Sequence, residues 1–443
     1  MIGVLRNRTY RHLLAAQVIA LIGTGLLTVA LGLLAYQLAG ASAGEVLGTA
    51  LAIKMLAYIG VAPIVGAYAS RLPRKGFLIA MDLIRCAIAL CLPFVTEIWQ
   101  IYVLIFVLQS ASAGFTPTFQ ATIPDVLPDE ADYTRALSLS RLAYDMESLT
   151  SPALAAALLT VMSFHWLFAG TAIGFVCSAL LVVTVRLPSS RAAKTGGGVW
   201  RRTTWGIRIY LHTPRLRGLL AVTLAAAAAS AMVVVNTVVI VQALFHKKQA
   251  DVAVALAAYG GGSMLAAFIL PKLLDRASER PVMLGAAAAL TVLLGGLAAL
   301  FFVGGLSWQA LLAGWLLMGF AYSFSVTPSG RLLRRSSREE DRPALFAAQF
   351  ALSHACWLIA YPLAGWAGKG FGQAAAFGIL AALALLGTIV GLFAWPKREP
   401  ETLAHKHDDL PHDHPHLLSE HSASARHAYV IDELHPRWPS AGV

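Results

Sequence analysis

Long apolar runs, each about as long as a membrane-crossing helix, recur along most of this chain. One crossing of a hydrocarbon core of about 30 Å needs about 20 predominantly apolar residues. Twelve runs meet this length and end at charged residues, glycine or proline. They lie at 12–38, 45–70, 76–96, 98–119, 135–161, 164–186, 216–244, 250–274, 281–303, 306–328, 344–366 and 372–395. The sequence therefore predicts an all-α polytopic membrane protein with twelve transmembrane helices.

The composition excludes a soluble enzyme. Of the 443 residues, 58% are apolar and only 13% are charged, whereas soluble domains carry about 25% charged residues. The glycine run at 196–198 lacks the preceding strand and the following Lys-Ser/Thr pair of a nucleotide-binding motif, so it is predicted to be a flexible linker. We expect a transporter that uses a gradient instead of ATP, needs no cofactor and catalyses no reaction.

The positive charges collect in alternate connections between the apolar runs. Arginine and lysine fill the segments at 6–11, 71–75, 186–208 and 276–280, whereas the opposite connections contain few basic residues. Because positively charged loops stay in the cytoplasm, this bias predicts that both termini are cytoplasmic in a bacterial inner membrane. The net charge of +11 is then a topology signal and does not indicate nucleic-acid binding.

The second half of the chain repeats features of the first. Span four ends near Pro117 and span ten ends near Pro328, and a second proline follows 35 residues later at Pro152 and 34 residues later at Pro362. Such duplication is typical of transporters whose two halves move about a central site. The predicted regions are a six-helix half at 1–186, a cytoplasmic linker with a basic interfacial helix at 187–214, a second half at 215–396 and a tail at 397–443.

Two connections carry related motifs. They read Gly66-Ala67-Tyr68-Ala69-Ser70-Arg71-Leu72-Pro73-Arg74-Lys75 and Leu273-Leu274-Asp275-Arg276-Ala277-Ser278-Glu279-Arg280. Both resemble the Gly-x-x-x-Asp-Arg-x-Gly-Arg-Arg/Lys motif of the major facilitator superfamily, although Ser70 and Pro73 replace the usual Asp and second Gly. The resemblance implies a cytoplasmic latch between the halves. Its gating residues would be Gly66, Arg71, Arg74, Asp275 and Arg276, and Asp82 or Asp145 is a candidate for the missing carboxylate.

Histidine is concentrated after the last span. Residues 401–443 hold eight of the thirteen histidines, and Asp residues interrupt the densest part. That part contains His405, His407, His412, His414 and His416. Imidazole and carboxylate at this spacing can bind Ni²⁺, Co²⁺ or Zn²⁺; the other interpretation is a disordered acidic tail that happens to be rich in histidine. A permease with such a tail resembles the nickel-resistance permeases of the NreB type, which implies proton-driven efflux of Ni²⁺, and in some members of Co²⁺.

Ionisable residues within the spans are candidates for function, because charge is costly inside a bilayer. Arg141 and Asp145 lie four residues apart and are expected to pair, as are Asp82 and Arg85. Glu147 has no cation on its own helix face, so we expect its carboxyl to hold a proton near neutral pH and to exchange it or to bind metal. A protonated carboxyl bonded to a neighbouring helix is the alternative. Asp145 and Asp82 are further candidates for proton coupling.

Two further spans offer metal donors. His354 on span eleven shares its face with aromatic residues and is either a packed side chain or a ligand, whereas Met232 and Asn236 lie on one face of span seven. Ferroportin, a metal exporter of the same superfamily, uses spans seven and eleven for a metal site. The resemblance therefore implies a site formed by His354 with Met232 or Asn236. Lys54 is expected to reach the membrane surface or pair with Glu45, and has no assigned role.

Polar side chains along spans one and four are predicted to line a central cavity or to join helices by hydrogen bonds. They are Gln17, Thr24, Thr28, Gln109, Ser112 and Thr116. The predicted function is export of Ni²⁺ or Co²⁺ in exchange for protons by a monomer in the lipid bilayer. The alternatives are a drug or siderophore exporter with an incidental tail, and a membrane-anchored metal sensor or buffer.

Overall fold

The helices of this protein follow one another with few intervening residues. The computed structural model describes residues 2–61, 73–187, 199–274, 276–337 and 341–397, and in the tail 403–404, 426–427, 429–431, 435 and 438. The α-helices are α1 Arg8–Ala39, α2 Ala43–Leu56, α3 Arg74–Cys91, α4 Ile98–Val126, α5 Glu130–Leu158, α6 His165–Val183, α7 Val199–His212, α8 Pro214–Val239, α9 Gln249–Leu274, α10 Glu279–Phe302, α11 Trp308–Val326, α12 Ser329–Arg335, α13 Arg342–Phe371 and α14 Gln373–Ala394.

Short elements complete the described chain. Three turns of 3₁₀-helix and two of π-helix extend or join the helices, and two strands of two residues each pair in the tail. The 3₁₀ turns are Ile2–Arg6, Gly40–Ser42 and Leu92–Phe94, the π turns are Ala57–Val61 and Ile240–Leu244, and the strands are β1 Leu403–Ala404 and β2 Arg426–His427. The strands are antiparallel, with Leu403 opposite His427.

Ten segments of the described residues are long and apolar enough to cross a membrane. One of them, Arg8–Val61, is 54 residues long and contains both α1 and α2, which is far more than one crossing requires. The all-α membrane fold is confirmed, whereas the count of twelve crossings and the cytoplasmic position of the termini stay predictions.

Several helix starts are fixed by side chains that accept hydrogen bonds from free backbone N–H groups. Asn7 Oδ1 accepts from the N–H of Tyr10 at 3.1 Å, and Asp129 Oδ1 accepts from the N–H of Asp132 at 2.9 Å. At the start of α4, Glu97 and Gln100 form a reciprocal capping box. These local signals place the helix starts within a few residues of the predicted positions.

Some helix ends differ from the prediction. The helix α4 continues through Pro117 to Val126, past the predicted end at residue 119, because a membrane helix tolerates proline where its neighbours satisfy the freed backbone groups. The α-helical part of span two ends at Leu56 and is followed by the π turn to Val61. The remainder of that predicted span, to residue 70, lies outside the described residues.

The helix contacts repeat along the chain. The helix α1 packs against α5 and α6 as α8 packs against α13 and α14, and α3 contacts α4 and α6 as α10 contacts α11 and α14. Two further contacts, between α2 and α13 and between α5 and α9, join the first six long helices to the later ones. This pattern agrees with the repeat in the sequence, and the bounds of the two halves stay a prediction.

The basic helix of the central linker packs against the start of α13. Tyr210 donates its hydroxyl proton to Gln349 Oε1 at 2.5 Å, and Trp205 Nε1 donates to Asp341 at 2.9 Å. A Cβ atom at Gly206 would overlap the carbonyl of Ala344, so only glycine permits this approach. The linker helix α7 therefore packs closely against α13, one of the later helices.

Parts of the tail also pack on the helices. Tyr429 and Ile431 are buried and join the main apolar core. The guanidinium of Arg215, at the start of α8, lies 5.4 Å from the ring centroid of Trp438. The five histidines predicted to bind metal in the tail lie outside the described residues.

Candidate transport site

The α2–α13 interface joins the first six long helices to the later ones. It extends from Gly44 on α2 to Tyr58 in the π turn that follows, and from Phe350 to Lys369 on α13. A Cβ atom at Gly48 would lie 2.5 Å from the carbonyl oxygen of Tyr361, so the two backbones touch there. At one end of the interface, Lys369 pairs with Glu45. The close packing shows that the halves are in direct contact along this interface.

Ionisable and aromatic side chains meet at the other end of the α2–α13 interface. The ring of Tyr58 lies 5.2 Å from the ring of His354 and 5.8 Å from that of Phe350, measured between centroids. The Nζ atom of Lys54 lies 5.9 Å from the centroid of the Tyr58 ring. An amine, a phenol and an imidazole are thus grouped at the contact between the halves.

A hydrogen bond to its own helix orients His354. Its Nδ1 atom lies 2.6 Å from the carbonyl oxygen of Phe350. A carbonyl only accepts hydrogen bonds, so Nδ1 carries the proton and Nε2 of the neutral ring keeps its lone pair. The Nε2 atom is therefore available as an acceptor or a metal ligand, and the role of His354 as a ligand stays a prediction.

Glu147 on α5 packs against α1. A Cβ atom at Gly25 of α1 would lie 2.8 Å from its Oε1 atom. That this carboxyl has no cation on its own helix face and holds a proton near neutral pH stays a prediction. Lys54 does not pair with Glu45, because Glu45 pairs with Lys369.

The structure does not bring His354 to the predicted donors on span seven. Asn236 donates its amide proton to the carbonyl of Ala364 at 3.0 Å, and its Nδ2 atom lies 3.5 Å from Met232 Sδ. Ala364 and His354 are ten residues apart on α13, which is about 15 Å along a helix. Asn236 instead accepts a hydrogen bond from Gln373 at 3.2 Å, so its amide connects α8, α13 and α14.

Asp82, a predicted proton-coupling residue, lies in a buried cluster of α3, α4 and α6. It pairs with Arg85 and accepts a hydrogen bond from Ser178 Oγ at 2.8 Å. The guanidinium of Arg85 lies 4.2 Å from the ring centroid of Phe115 and 4.5 Å from that of Phe175. The predicted pairing of Asp82 with Arg85 is present. The Asp145 and Arg141 side chains lie outside the described residues.

One arginine of the predicted latch has a carboxylate partner on α4. Arg74 pairs with Asp125 at the end of α4, so Asp82 is not its partner. In the later helices Glu279 pairs with Arg331 at 3.0 Å and with Arg335 at 3.2 Å. Arg276 is exposed. The remaining gating residues Gly66, Arg71 and Asp275 lie outside the described residues.

The predicted cavity-lining residues make contacts typical of helix packing. Gln17, Gln109 and Ser112 are buried, and Gln17 Oε1 accepts a hydrogen bond from Ser140 on α5 at 3.0 Å. Thr24 and Thr28 donate to carbonyls of their own helix and are partly exposed, as is Thr116. Among the described side chains, no group of three or more His, Cys, Asp and Glu could hold a metal ion.

Lys54 and Tyr58 are the functional candidates that sequence reasoning missed. A lysine within an apolar run is a signal in itself, because an ionisable residue at membrane depth usually faces the interior of the bundle. The grouping of Lys54 and Tyr58 with His354 could not be read from the chain, since His354 comes from α13.

Comparisons with known proteins agree with this architecture. The family model described as Major Facilitator Superfamily matches residues 13–303 and 219–425. Macrolide efflux protein A of Streptococcus pyogenes is 27% identical over 179 residues, which cover 39% of this chain and 44% of that protein. Macrolide efflux protein A of Enterococcus faecalis is 28% identical over 152 residues, covering 32% and 47%. The chain thus spans less than half the length of these relatives.

Solved transporters share the fold at low sequence identity. The nucleoside transporter NupG superposes with a TM-score of 0.66 at 12% identity, covering 88% of this chain and 100% of that one. A D-xylose-proton symporter superposes with a TM-score of 0.65 at 15% identity, covering 90% and 98%. The helix order, the repeated contacts and the family match together show that the chain belongs to the Major Facilitator Superfamily, and that it is a transporter and not an enzyme.

Proposed function

We propose that this transporter exports a divalent transition-metal cation, Ni²⁺ or Co²⁺, in exchange for protons across the bacterial cytoplasmic membrane. The observation that carries the proposal is the concentration of histidine after the last span, with eight of thirteen in residues 401–443. Imidazole with carboxylate favours ions of this class. The relatives named as efflux proteins support outward transport.

The side chains between the helices offer a place for the ion. Glu147 of α5 lies against Gly25 of α1 and His354 of α13 lies against Tyr58, and each supplies a donor that must be deprotonated to bind a metal. In the proposed cycle the ion binds these donors from the cytoplasm, the halves move, and protons from the other side displace it. The α2–α13 and α5–α9 contacts would have to open and close in each cycle.

Inside-out membrane vesicles test the proposal. Uptake of radioactive Ni²⁺ driven by an imposed proton gradient should fall at least about tenfold in Glu147→Gln and in His354→Ala, because each loses a donor. His212→Ala, an exposed histidine on α7, is the matched control and should retain uptake. Normal uptake by both variants would refute these residues as the site, and no uptake by the native protein would refute the function.

The relatives favour a second candidate, export of an organic compound such as a drug or a siderophore. Both relatives carry the name macrolide efflux protein. Aromatic rings also meet between helices: Tyr322 lies 5.8 Å from Tyr259 and 6.5 Å from Trp357 between centroids. Growth of expressing and control cells across Ni²⁺, Co²⁺, Zn²⁺ and macrolide gradients separates the two. Tolerance to macrolide alone would favour the organic cargo.

A further inference from the structure

The ends of four later helices meet at one surface of the protein. At the start of α8, Arg215 donates through Nε to Ser336 Oγ at 2.7 Å and through Nη2 to the carbonyl of Arg335 at 2.8 Å, where α12 ends. At the start of α10, Arg280 donates to the carbonyl of Trp395, which follows α14, at 3.0 Å. Since α8 also packs against α14, these four ends form one continuous surface.

This surface, named here the basic surface, carries an excess of positive charge. Arg217, Arg334 and Lys397 are exposed on it, whereas the acid Glu279 is buried and already paired with arginines of α12. Thirteen basic and six acidic residues occur in the four segments that meet there, 208–217, 272–280, 331–342 and 397–400. Such a surface attracts acidic partners.

The tail of the same chain has the opposite charge. Residues 401–443 contain seven acidic and three basic residues, a net charge of −4 with histidine neutral. Two of the acids, Asp432 and Glu433, directly follow Ile431 in the sequence. The tail is therefore complementary in charge to the basic surface.

Aromatic and apolar side chains anchor the tail beside Arg215. Tyr429, Ile431 and His435 are buried, and the first two join the main apolar core. The ring of Tyr429 lies 4.7 Å from that of His435 and 5.3 Å from that of Trp438, between centroids. Trp438 in turn lies over the guanidinium of Arg215 at 5.4 Å, a cation–π contact. These rings thus pack together directly on the basic surface.

We propose that the basic surface is a docking surface for the acidic tail of this chain. Tyr429, Ile431 and Trp438 supply the anchor, and the surrounding positive charge attracts the carboxylates of the tail. The stretch from Lys397 to Tyr429, which contains the five candidate histidines, then begins and ends at the same surface. The docked tail also occupies a surface that would otherwise attract anionic lipid headgroups.

Tryptic cleavage after Arg437 in the purified full-length protein measures docking. Arg437 precedes Trp438 in the chain, so trypsin releases the peptide 438–443 only from molecules whose tail has left the surface, and the initial rate follows their population. Ile431→Asp and Tyr429→Ala should raise this rate at least about tenfold, because each removes part of the anchor.

Arginine variants test the surface itself. Arg215→Gln should also raise the rate of release at least about tenfold, because it removes the cation under Trp438. Arg11→Gln, an exposed arginine at the start of α1, is the matched control and should leave the rate unchanged. Because Arg215 also joins α8 to α12, the tail variants decide the question if the Arg215→Gln protein does not remain monodisperse.

Salt and charge variants separate electrostatic docking from apolar packing alone. Raising NaCl from about 0.05 M to about 0.5 M should speed release at least about threefold in the native protein, since salt screens exposed charges. The rate of Ile431→Asp, whose tail is already free, should not change and corrects for effects on trypsin. Asp432→Asn combined with Glu433→Gln should act as salt does.

Three results would overturn the inference. Native release as fast as that of Ile431→Asp would show that the tail does not dock. A response to Ile431→Asp without a response to salt or to the neutralised acids would reduce the contact to apolar packing. Release that is slow in phosphatidylcholine nanodiscs but as fast as that of Ile431→Asp in phosphatidylglycerol nanodiscs would assign the surface to lipid headgroups. None of these measurements depends on the transported ion, so the proposed function stands or falls separately.

Discussion

At the residue scale, Asp82 shows how a charged side chain can hold helices together inside a membrane. Its carboxylate pairs with Arg85 and accepts a hydrogen bond from Ser178, so it connects α3 with α6. Phe115 on α4 and Phe175 on α6 flank the guanidinium. Asp82 therefore has a packing role, and its part in proton coupling stays a prediction.

Removing one partner of this buried pair should destabilise the protein. Asp82→Asn or Arg85→Met leaves the other charge uncompensated, which costs about 3–5 kcal/mol. The double variant should recover part of that loss, and thermal unfolding in detergent micelles measures it. Asp132→Asn, from a pair in which Arg135 is half exposed, is the control and should cost less than about 1 kcal/mol. A stable Asp82→Asn protein whose transport no longer responds to pH would instead favour a role in coupling.

The residue contacts differ in how far the sequence predicts them. The pairing of Asp82 with Arg85 follows from their spacing of three on one helix. The pairing of Arg74 with Asp125 and of Lys369 with Glu45 does not, because each pair joins two helices whose relative rotation is set by packing. Asn236 shows the same limit: its amide was expected to face a metal and instead bonds to Ala364 and Gln373.

At the scale of elements, glycine determines how closely α2 and α13 approach. A Cβ atom at Gly365 would overlap the carbonyl of Gly44. Gly365→Leu should therefore force the helices apart, lower the unfolding temperature and reduce Ni²⁺ uptake by vesicles, since the α2–α13 contact must re-form in every cycle. Gly285→Leu on α10, where nothing lies within 4 Å, is the matched control. Native uptake and stability in Gly365→Leu would show that this contact is not needed.

The positions of the helices could be predicted from the sequence better than their ends. Apolar length and charge determine where a span lies, and each predicted span overlaps a helix of the structure. The helix ends depend on local features that the apolar pattern does not show, such as the π turn at Ala57–Val61 and the continuation of α4 to Val126. The docking of α7 on α13 could not be predicted, since it depends on Gly206 meeting another helix.

At the scale of the whole molecule, an ion pair occurs at corresponding positions in the two halves, but its acidic and basic partners are interchanged. Near the start of α3, Arg74 pairs with Asp125, which lies at the end of α4. At the start of α10 an acid, Glu279, pairs with Arg331 and Arg335, which follow α11. The repeat of the loops was visible in the sequence. The interchange of acid and base could not be predicted from the sequence, because the partner residues lie beyond the motifs.

The tail should assist export without being essential to it. Asn at His405, His407, His412, His414 and His416 removes the proposed donors and keeps the buried contacts of Tyr429 and Ile431, which a truncation would lose. We expect reduced Ni²⁺ tolerance of expressing cells with native protein stability, because a tethered binding segment raises the local concentration of the ion. Unchanged tolerance across a dose series would exclude a role for these histidines.

The most direct test of the central claim is metal and proton movement in one preparation. Purified native protein in proteoliposomes, with a metal-sensitive dye and a pH-sensitive dye inside, is given Ni²⁺ outside under an imposed proton gradient. We predict Ni²⁺ entry together with proton exit, both lost in Glu147→Gln. Proteoliposomes that move no Ni²⁺ or Co²⁺ under any proton gradient would contradict the account.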